Sequence, residues 1–258
     1  MAHQVYENFI LSNTINDILA TKVNLNNYLT IDTSLTQEAG MKKKIHKYTS
    51  TGAVEMLGMG EGNTTSREVT FTEVEYEVKT FQGKFDFYDE QEMTDPMIVD
   101  VGVRHSADDM VNTFTALSIA EYEKATLVQE GAAWGFDVVV DAIAKLNLED
   151  ESGLFLLISP ADKAKFRKAL KDDLKYVEGF VRAGYIGSVC GVPVIVTKAV
   201  EEGKGYLATK EAVTLFIKKD TETEYERDAD KRHNKYYIRK VGVVALTDDT
   251  KLVRFAIA

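Results

Sequence analysis

TDPMIVDVGVRHSADDMVNTFTALSIAEYEKATLVQE, residues 94–130, is the one long segment whose apolar positions keep a helical beat from end to end. Val99, Val103, Ala107, Met110, Phe114, Leu117, Ala125 and Val128 recur at steps of three and four, with Glu121 as the one polar member of the series. That spacing puts a single apolar stripe along one side of a helix. Asp95 suits an N-terminal cap and Pro96 the first helical position, while Gly131 marks the end. At 1.5 Å per residue such a helix would run roughly 50 Å, more than a compact domain needs to cover its own core. A spine joining separate parts is expected.

On the N-terminal side, Met41 to about Thr80 reads as β-structure. Lys43, Ile45, Lys47 and Thr49 alternate with Lys44, His46, Tyr48 and Ser50, and Val74, Tyr76 and Val78 alternate with Glu73, Glu75 and Glu77. Between the two strands lies GAVEMLGMGEGNTTSRE (52–68), where Gly58, Gly60 and Gly62, with Glu61 and Asn63 between and beside them, make a flexible tip without a core of its own. A hairpin this long should project from the body. GMGEG is one residue short of the dinucleotide fingerprint and has no helix behind it to hold a pyrophosphate, so nucleotide binding is not expected. The lysines Lys42, Lys43 and Lys44 and the glutamates Glu73, Glu75 and Glu77 suit either pairing across the hairpin or contacts between subunits, each surface pair contributing about 0 to 1 kcal/mol. In FQGKFDFYDEQEMTD (81–95) the carboxylates lack the Gly and terminal Glu of a calcium loop, and a solvated turn leading into the spine is expected.

On the C-terminal side, Trp134 and Phe136 precede a helix with Asp137 as its expected cap and Val139, Ile143 and Leu146 on one face. LFLLI (154–158) reads as a buried strand, and Ser159-Pro160 starts a helix to about Leu174. In FVRAGYIGSVCGVPVIVTKAV (180–200), Gly184, Gly187 and Gly191 punctuate turns and Val192–Thr197 is a second buried strand, so this region forms a small α/β layer. The last stretch returns to β: Val213, Leu215 and Ile217 alternate, and KYYIRKVGVVAL (235–246) and LVRFAIA (252–258) read as strands. Between them TETEYERDADKRHN (221–234) holds Glu226, Arg227, Asp228 and Arg232, whose alternating signs without apolar shelter indicate a salt-bridged turn or helix end rather than an acid/base pair. Residues 1–40 carry scattered apolar positions (Val5, Tyr6, Phe9, Ile10, Ile15, Ile18, Leu19) and then TKVNLNNYLT, the pattern of a short helix and an extended arm lying along another surface.

Composition narrows the function. The chain has 258 residues, 45% of them hydrophobic and 28% charged, as in a soluble folded protein. A net charge of −10, from 41 acidic and 31 basic residues, argues against a protein whose main task is gripping nucleic acid, yet suits a container that must enclose DNA without sticking to it. No stretch is long and apolar enough for a helical membrane span, and the N-terminus carries no basic leader, so a cytoplasmic location and no membrane partner are expected. The single cysteine, Cys190, is expected to be a small buried hydrophobe. GxxxxGK[ST], HExxH and GxSxG are absent, and His3, His46, His105 and His233 lie far apart in sequence. No residue set names a reaction, so neither catalysis nor a cofactor or metal is expected.

The order of parts resembles the major capsid proteins of tailed bacteriophages with the Hong Kong 97-type fold. The most specific pieces are GYIGSVCGVPVIVTKAV (184–200) and AVTLFIKKDTETEYERDADKRHNKYYIRKVGVVAL (212–246). The resemblance implies an α+β chain divided into an N-terminal arm (1–40), an E-loop hairpin with the start of a P-domain (41–93), a spine helix (94–130), an A-domain (131–210) and returning P-domain strands (211–258). It implies pentamers and hexamers of an icosahedral shell around double-stranded DNA, the shell assembling in the host cytoplasm and forming part of the virion, with a portal protein. Contacts between subunits are then expected at Gly58, Gly60, Glu61, Gly62, Asn63, Lys42, Lys43, Lys44, Glu73, Glu75, Glu77, Glu226, Arg227, Asp228 and Arg232. The chain starts at Met1 with no room for a cleaved scaffolding segment, so a separate scaffolding protein is expected. The tip GMGEGNTTS holds no lysine, so the autocatalytic crosslink of some relatives is not. An encapsulin-like compartment enclosing cargo enzyme shares the fold and is the alternative; an enzyme is the reading from another class.

Overall fold

The computed structural model describes residues 25–37, 39–52, 54–170 and 187–257. The expected helix of the first 24 residues and the end of the helix toward Leu174 lie outside them. The rest of the expected arm packs on its own subunit: Leu25, Leu29 and Leu35 are buried, and β1 (Thr30–Asp32) runs parallel to the start of β10 (Val213–Asp228).

The spine is shorter than its apolar stripe. A separate short helix α1 (Asp89–Thr94) comes first, then Asp95 in an extended conformation as the following Pro96 requires, and then α2 (Ile98–Tyr122). Asp95 serves the entry as its side chain suggests, its carboxylate accepting from the Met97 amide at 3.0 Å. At the other end the expected course to Glu130 is overturned. Tight turns form at Lys124 and Ala125, the Thr126 amide and hydroxyl donate to the Asp249 carboxylate at 3.1 and 2.6 Å, and Leu127–Gly131 becomes strand β5 beside β12 (Leu252–Ile257). LVQE fits a helical stripe and a strand equally well, and an available ladder of backbone hydrogen bonds decides between them. At 25 residues the helix is about 37 Å long.

The helix packs its Val103, Ala107, Met110, Phe114, Ile119 and Tyr122 into one core shared by two sheets. The first sheet has the order β1-β10-β11-β4, with β4 spanning Lys79–Tyr88 and β11 spanning His233–Leu246. Here two expectations change. Residues 81–88 are a strand rather than a solvated turn: Phe81, Gly83, Phe85 and Phe87 face inward in period two and Asp86 sits on the other face, while Asp89, Glu90 and Glu92 fall in α1. The charged stretch 221–234 is strand as far as Asp228 and again from His233, with a turn only at 229–232, because Thr221 and Thr223 are buried on one face while Glu222, Glu224 and Glu226 line the other. Where α2 meets β4, Gly102 lets the chains approach closely, since a Cβ there would stand 2.3 Å from the Phe85 ring.

The second sheet has the order β5-β12-β9-β6-β8-β7, with β6 spanning Phe155–Ile158, β7 Ser188–Val189, β8 Val192–Val196 and β9 Lys204–Ala208. The C-terminal strand β12 sits inside this sheet, not with the other returning strands, which corrects the expected grouping of 211–258. Its sequence LVRFAI explains the placement: Leu252 packs into the spine core while Val253, Phe255 and Ile257 pack into a second core with Trp134, Val139, Ala142, Leu146 and Phe166, so both faces are covered. That second core holds helices α3 (Phe136–Leu146) and α4 (Pro160–Ala169). The N-cap of α3 is Gly135, with Asp137 the second residue of the first turn, whereas Ser159 caps α4 as expected, its hydroxyl accepting from the Asp162 amide at 3.1 Å. Cys190 is half-buried rather than buried. It occupies the β7–β8 turn with Gly191, both residues at positive φ (52° and 80°), and burial pushes its thiol pKa up.

Candidate assembly surface

The hairpin expected from alternation is present. β2 (Lys42–Thr51) and β3 (Glu68–Glu77) pair antiparallel over their full ten residues, Lys42 opposite Glu77 and Thr51 opposite Glu68. Its base is anchored: Ile45 and Val78 bury against Phe216, Val241 and Ala245, and the Lys43 ammonium lies 5.1 Å from the centre of the Phe216 ring. Beyond that anchor no described residue of the subunit outside the hairpin covers it. From Tyr48 to Glu73, every described residue except Glu55 is exposed.

Near the base, the even-numbered positions of β2 and the odd-numbered positions of β3 share one face. Lys42 pairs there with Glu75, and Lys44 with Glu73 at 2.5 Å, so these candidates are matched across the hairpin. The Glu75 carboxylate and the Lys42 ammonium each push the other's pKa toward the charged form. Glu77 stands opposite Lys42 at the end of the same ladder. Farther out, the same face turns apolar. Tyr48 and Phe71 are opposite one another with ring centres 6.2 Å apart, His46 stands 5.4 Å from Phe71, and Val69 is also exposed.

The tip is more apolar than its glycines suggest. Val54 is 92% exposed, Met56 102% and Met59 107%. Gly58, Gly60, Glu61, Gly62 and Asn63 are all exposed there; the Gly58 amide donates to Glu61 Oε2 at 2.8 Å, and Gly60 takes φ +88°. Glu55 closes the loop. Its carboxylate accepts from the hydroxyls of Thr65 and Thr64 (2.6 and 2.7 Å) and from both amides (2.9 and 2.8 Å), which hold its pKa down to about 2. Four charge-assisted bonds hold the loop in a defined shape although it covers no core.

The other candidates lie apart from the hairpin, at the β10–β11 turn. Arg227 reaches Asp89 at 2.8 Å, Arg232 reaches Glu90 at 3.5 Å, and Glu226 takes Lys235 at 3.2 Å. Asp228 accepts from the amides of Asp230 and Lys231, closing the turn. Asn234 links Tyr225 to Asp89, so α1 is bound to the end of the first sheet. Glu55, Met56, Met59, Tyr48 and Phe71 were not singled out from sequence. Apolar residues alternating with polar ones on a strand normally mean a buried face, and only the absence of a covering element among the described residues shows that this one faces outward.

This architecture is a body of two sheets around one helix with a hairpin that extends past its partners among the described residues. A family model described as phage capsid protein matches residues 71–255, which span β3 to β12. The chain belongs to the phage capsid protein family. Within that family it is similar to the major capsid protein of Staphylococcus phage phiMR11, with 32% identity over 117 residues, 44% of this chain and 43% of that one. The match therefore spans less than half of the relative. Among solved structures the capsid protein is similar to the mature capsid of bacteriophage PhiM1 (TM-score 0.73, 11% identity, 91% of this chain and 86% of that one). It is also similar to an encapsulin of Synechococcus elongatus PCC 7942 (TM-score 0.66, 12% identity, 90% and 86%). At these identities the structures establish the fold, which is the Hong Kong 97-type, α+β as expected.

Proposed function

We propose that this chain is the major capsid protein of a tailed bacteriophage, many copies forming pentamers and hexamers of an icosahedral shell around double-stranded DNA. The observation that carries the reading is the β2–β3 hairpin: ordered by Glu55, apolar at its tip, and exposed beyond its base among the described residues of its own subunit. A surface of that kind gains stability only on a neighbour, and weak contacts repeated around a closed shell add up to a strong one. In this reading the hairpin is the E-loop, α2 the spine, the four-stranded sheet the P-domain and the six-stranded sheet the A-domain, so β12 returns to the A-domain. In the same reading the charged residues of the β10–β11 turn meet a neighbour at the edge of a capsomer. A separate scaffolding protein and a portal complete the particle, assembled in the host cytoplasm.

The test is electron microscopy and sedimentation of the protein expressed alone and with its neighbouring genes. Closed icosahedral shells with five- and six-fold capsomers, filled with DNA in the infected host, support the reading. A protein that stays monomeric in every combination refutes it, and shells filled with a protein cargo and free of DNA favour the encapsulin-like compartment.

A further inference from the structure

The solvent face of α4 runs against the charge of the chain. The whole protein has 41 acidic and 31 basic residues, yet this helix exposes Lys165, Arg167 and Lys168, with Lys163 half-exposed, and no carboxylate. Its one acid, Asp162, is fully buried and engaged by the Ser159 hydroxyl at 2.7 Å and the Gly203 amide at 3.0 Å. Lys165 is matched by Glu202 at 2.9 Å. Lys163, Arg167 and Lys168 have no acidic partner among the described residues. Cations in a last turn are favoured by the helix dipole, which accounts for Arg167 and Lys168. It does not account for Lys163, which lies in the first turn, where the dipole disfavours a cation.

We propose that this face of α4 contacts the phosphate backbone of double-stranded DNA and so faces the inside of the shell. The inference rests on reading the chain as a DNA-enclosing capsid protein and adds which surface looks inward. Lys163 and Arg167 are one turn apart, about 6 Å along the axis, and Lys168 follows on the adjoining side. A duplex carries one charge per about 1.7 Å of its axis, so three long cationic side chains find phosphates at any angle of approach. The other exposed positions of the helix are Pro160, Ala161, Ala164, Lys165 and Ala169, with no side-chain amide or aromatic group to read a base edge, so the contact is independent of sequence. Phe166 holds the helix from beneath, its ring 5.7 Å from that of Trp134, so the charges are presented from a rigid element.

The experiment measures binding of a labelled 30-base-pair duplex to unassembled full-length protein by anisotropy as salt is varied. With about 0.9 counterions released per phosphate, three contacts give a slope of roughly −2.7 in log K against log salt, about a 40-fold loss between 50 and 200 mM. Lys163→Gln/Arg167→Gln/Lys168→Gln should bring that slope close to zero, while Lys210→Gln/Lys231→Gln should leave it unchanged. Lys163→Arg/Lys168→Arg, which keeps the charge, should bind as the unaltered protein does. Should the triple variant fail to fold, each single Gln variant should still lower the slope by about 0.9. An unchanged slope in the triple variant overturns the proposal, as does equally tight, equally α4-dependent binding of poly-glutamate, which would assign the face to an acidic protein. Closed shells formed by the unaltered protein are scored separately, so failure of the DNA contact is distinct from failure of the capsid reading.

Discussion

Removing the two tip methionines tests the assembly surface directly. Met56 and Met59 are 102% and 107% exposed, so neither contributes packing to its own subunit. Met56→Ser/Met59→Ser should therefore leave the melting temperature of the unassembled protein within about 1 °C of its original value, as surface changes normally do. On a neighbour the balance differs. Full burial of a Met side chain contributes about 1.5–3 kcal/mol; with half of each side chain covered, the pair contributes about 1.5–3 kcal/mol per subunit. At 1.4 kcal/mol per factor of ten, the concentration needed for assembly should rise roughly 10- to 100-fold. Light scattering against protein concentration, with electron microscopy of the products, gives the threshold. Shells forming at the original threshold would refute the reasoning, and so would a large fall in the melting temperature, since the first denies the tip a role between subunits and the second makes it part of the subunit's own core.

Three further outcomes follow from local geometry. Gly102→Ala in α2 gains about 1 kcal/mol of helix propensity but places a methyl 2.3 Å from a Phe85 ring that is already stacked on Phe87 and Tyr236, an overpacking that costs about 1–3 kcal/mol; urea unfolding should show net destabilisation, and Phe85→Leu should partly rescue it. Cys190→Asn should stabilise by about 0.5–1 kcal/mol, because Asn-Gly suits the two positive-φ positions that Cys190 and Gly191 occupy; a lower urea midpoint would mean that packing of the thiol outweighs backbone strain. The Glu55 carboxyl has its pKa lowered from 4.5 to about 2, so the stabilisation it gives the loop is complete above pH 4.5 and lost as pH falls through about 2; exchange protection of the Thr64 and Thr65 amides should follow that course and be absent in Glu55→Ala at every pH.

The elements governed by local chemistry were legible in the sequence. Alternation over 43–50 and 73–78 gave both hairpin strands, Ser159-Pro160 gave the start of α4, and the all-apolar FLLI gave a strand buried on both faces. Each depends on the period of side chains or on one capping hydroxyl, and both travel with the local sequence. Family membership was legible in the same way, from the order of these parts.

What the sequence left open depended on a partner far along the chain. Nothing in TLVQEG distinguishes the last turns of a helix from a strand until β12, more than 120 residues later, presents a parallel ladder and Asp249 takes the Thr126 amide. The apolar face of Tyr48, Val69 and Phe71 reads as core by its alternation and is surface only because no described element lies over it. The basic face of α4 likewise depends on folding, which buries Asp162 and leaves the helix's cations in solvent. Periodicity says that a face is apolar or charged, while what covers that face is decided by tertiary contacts between residues that sequence spacing does not relate.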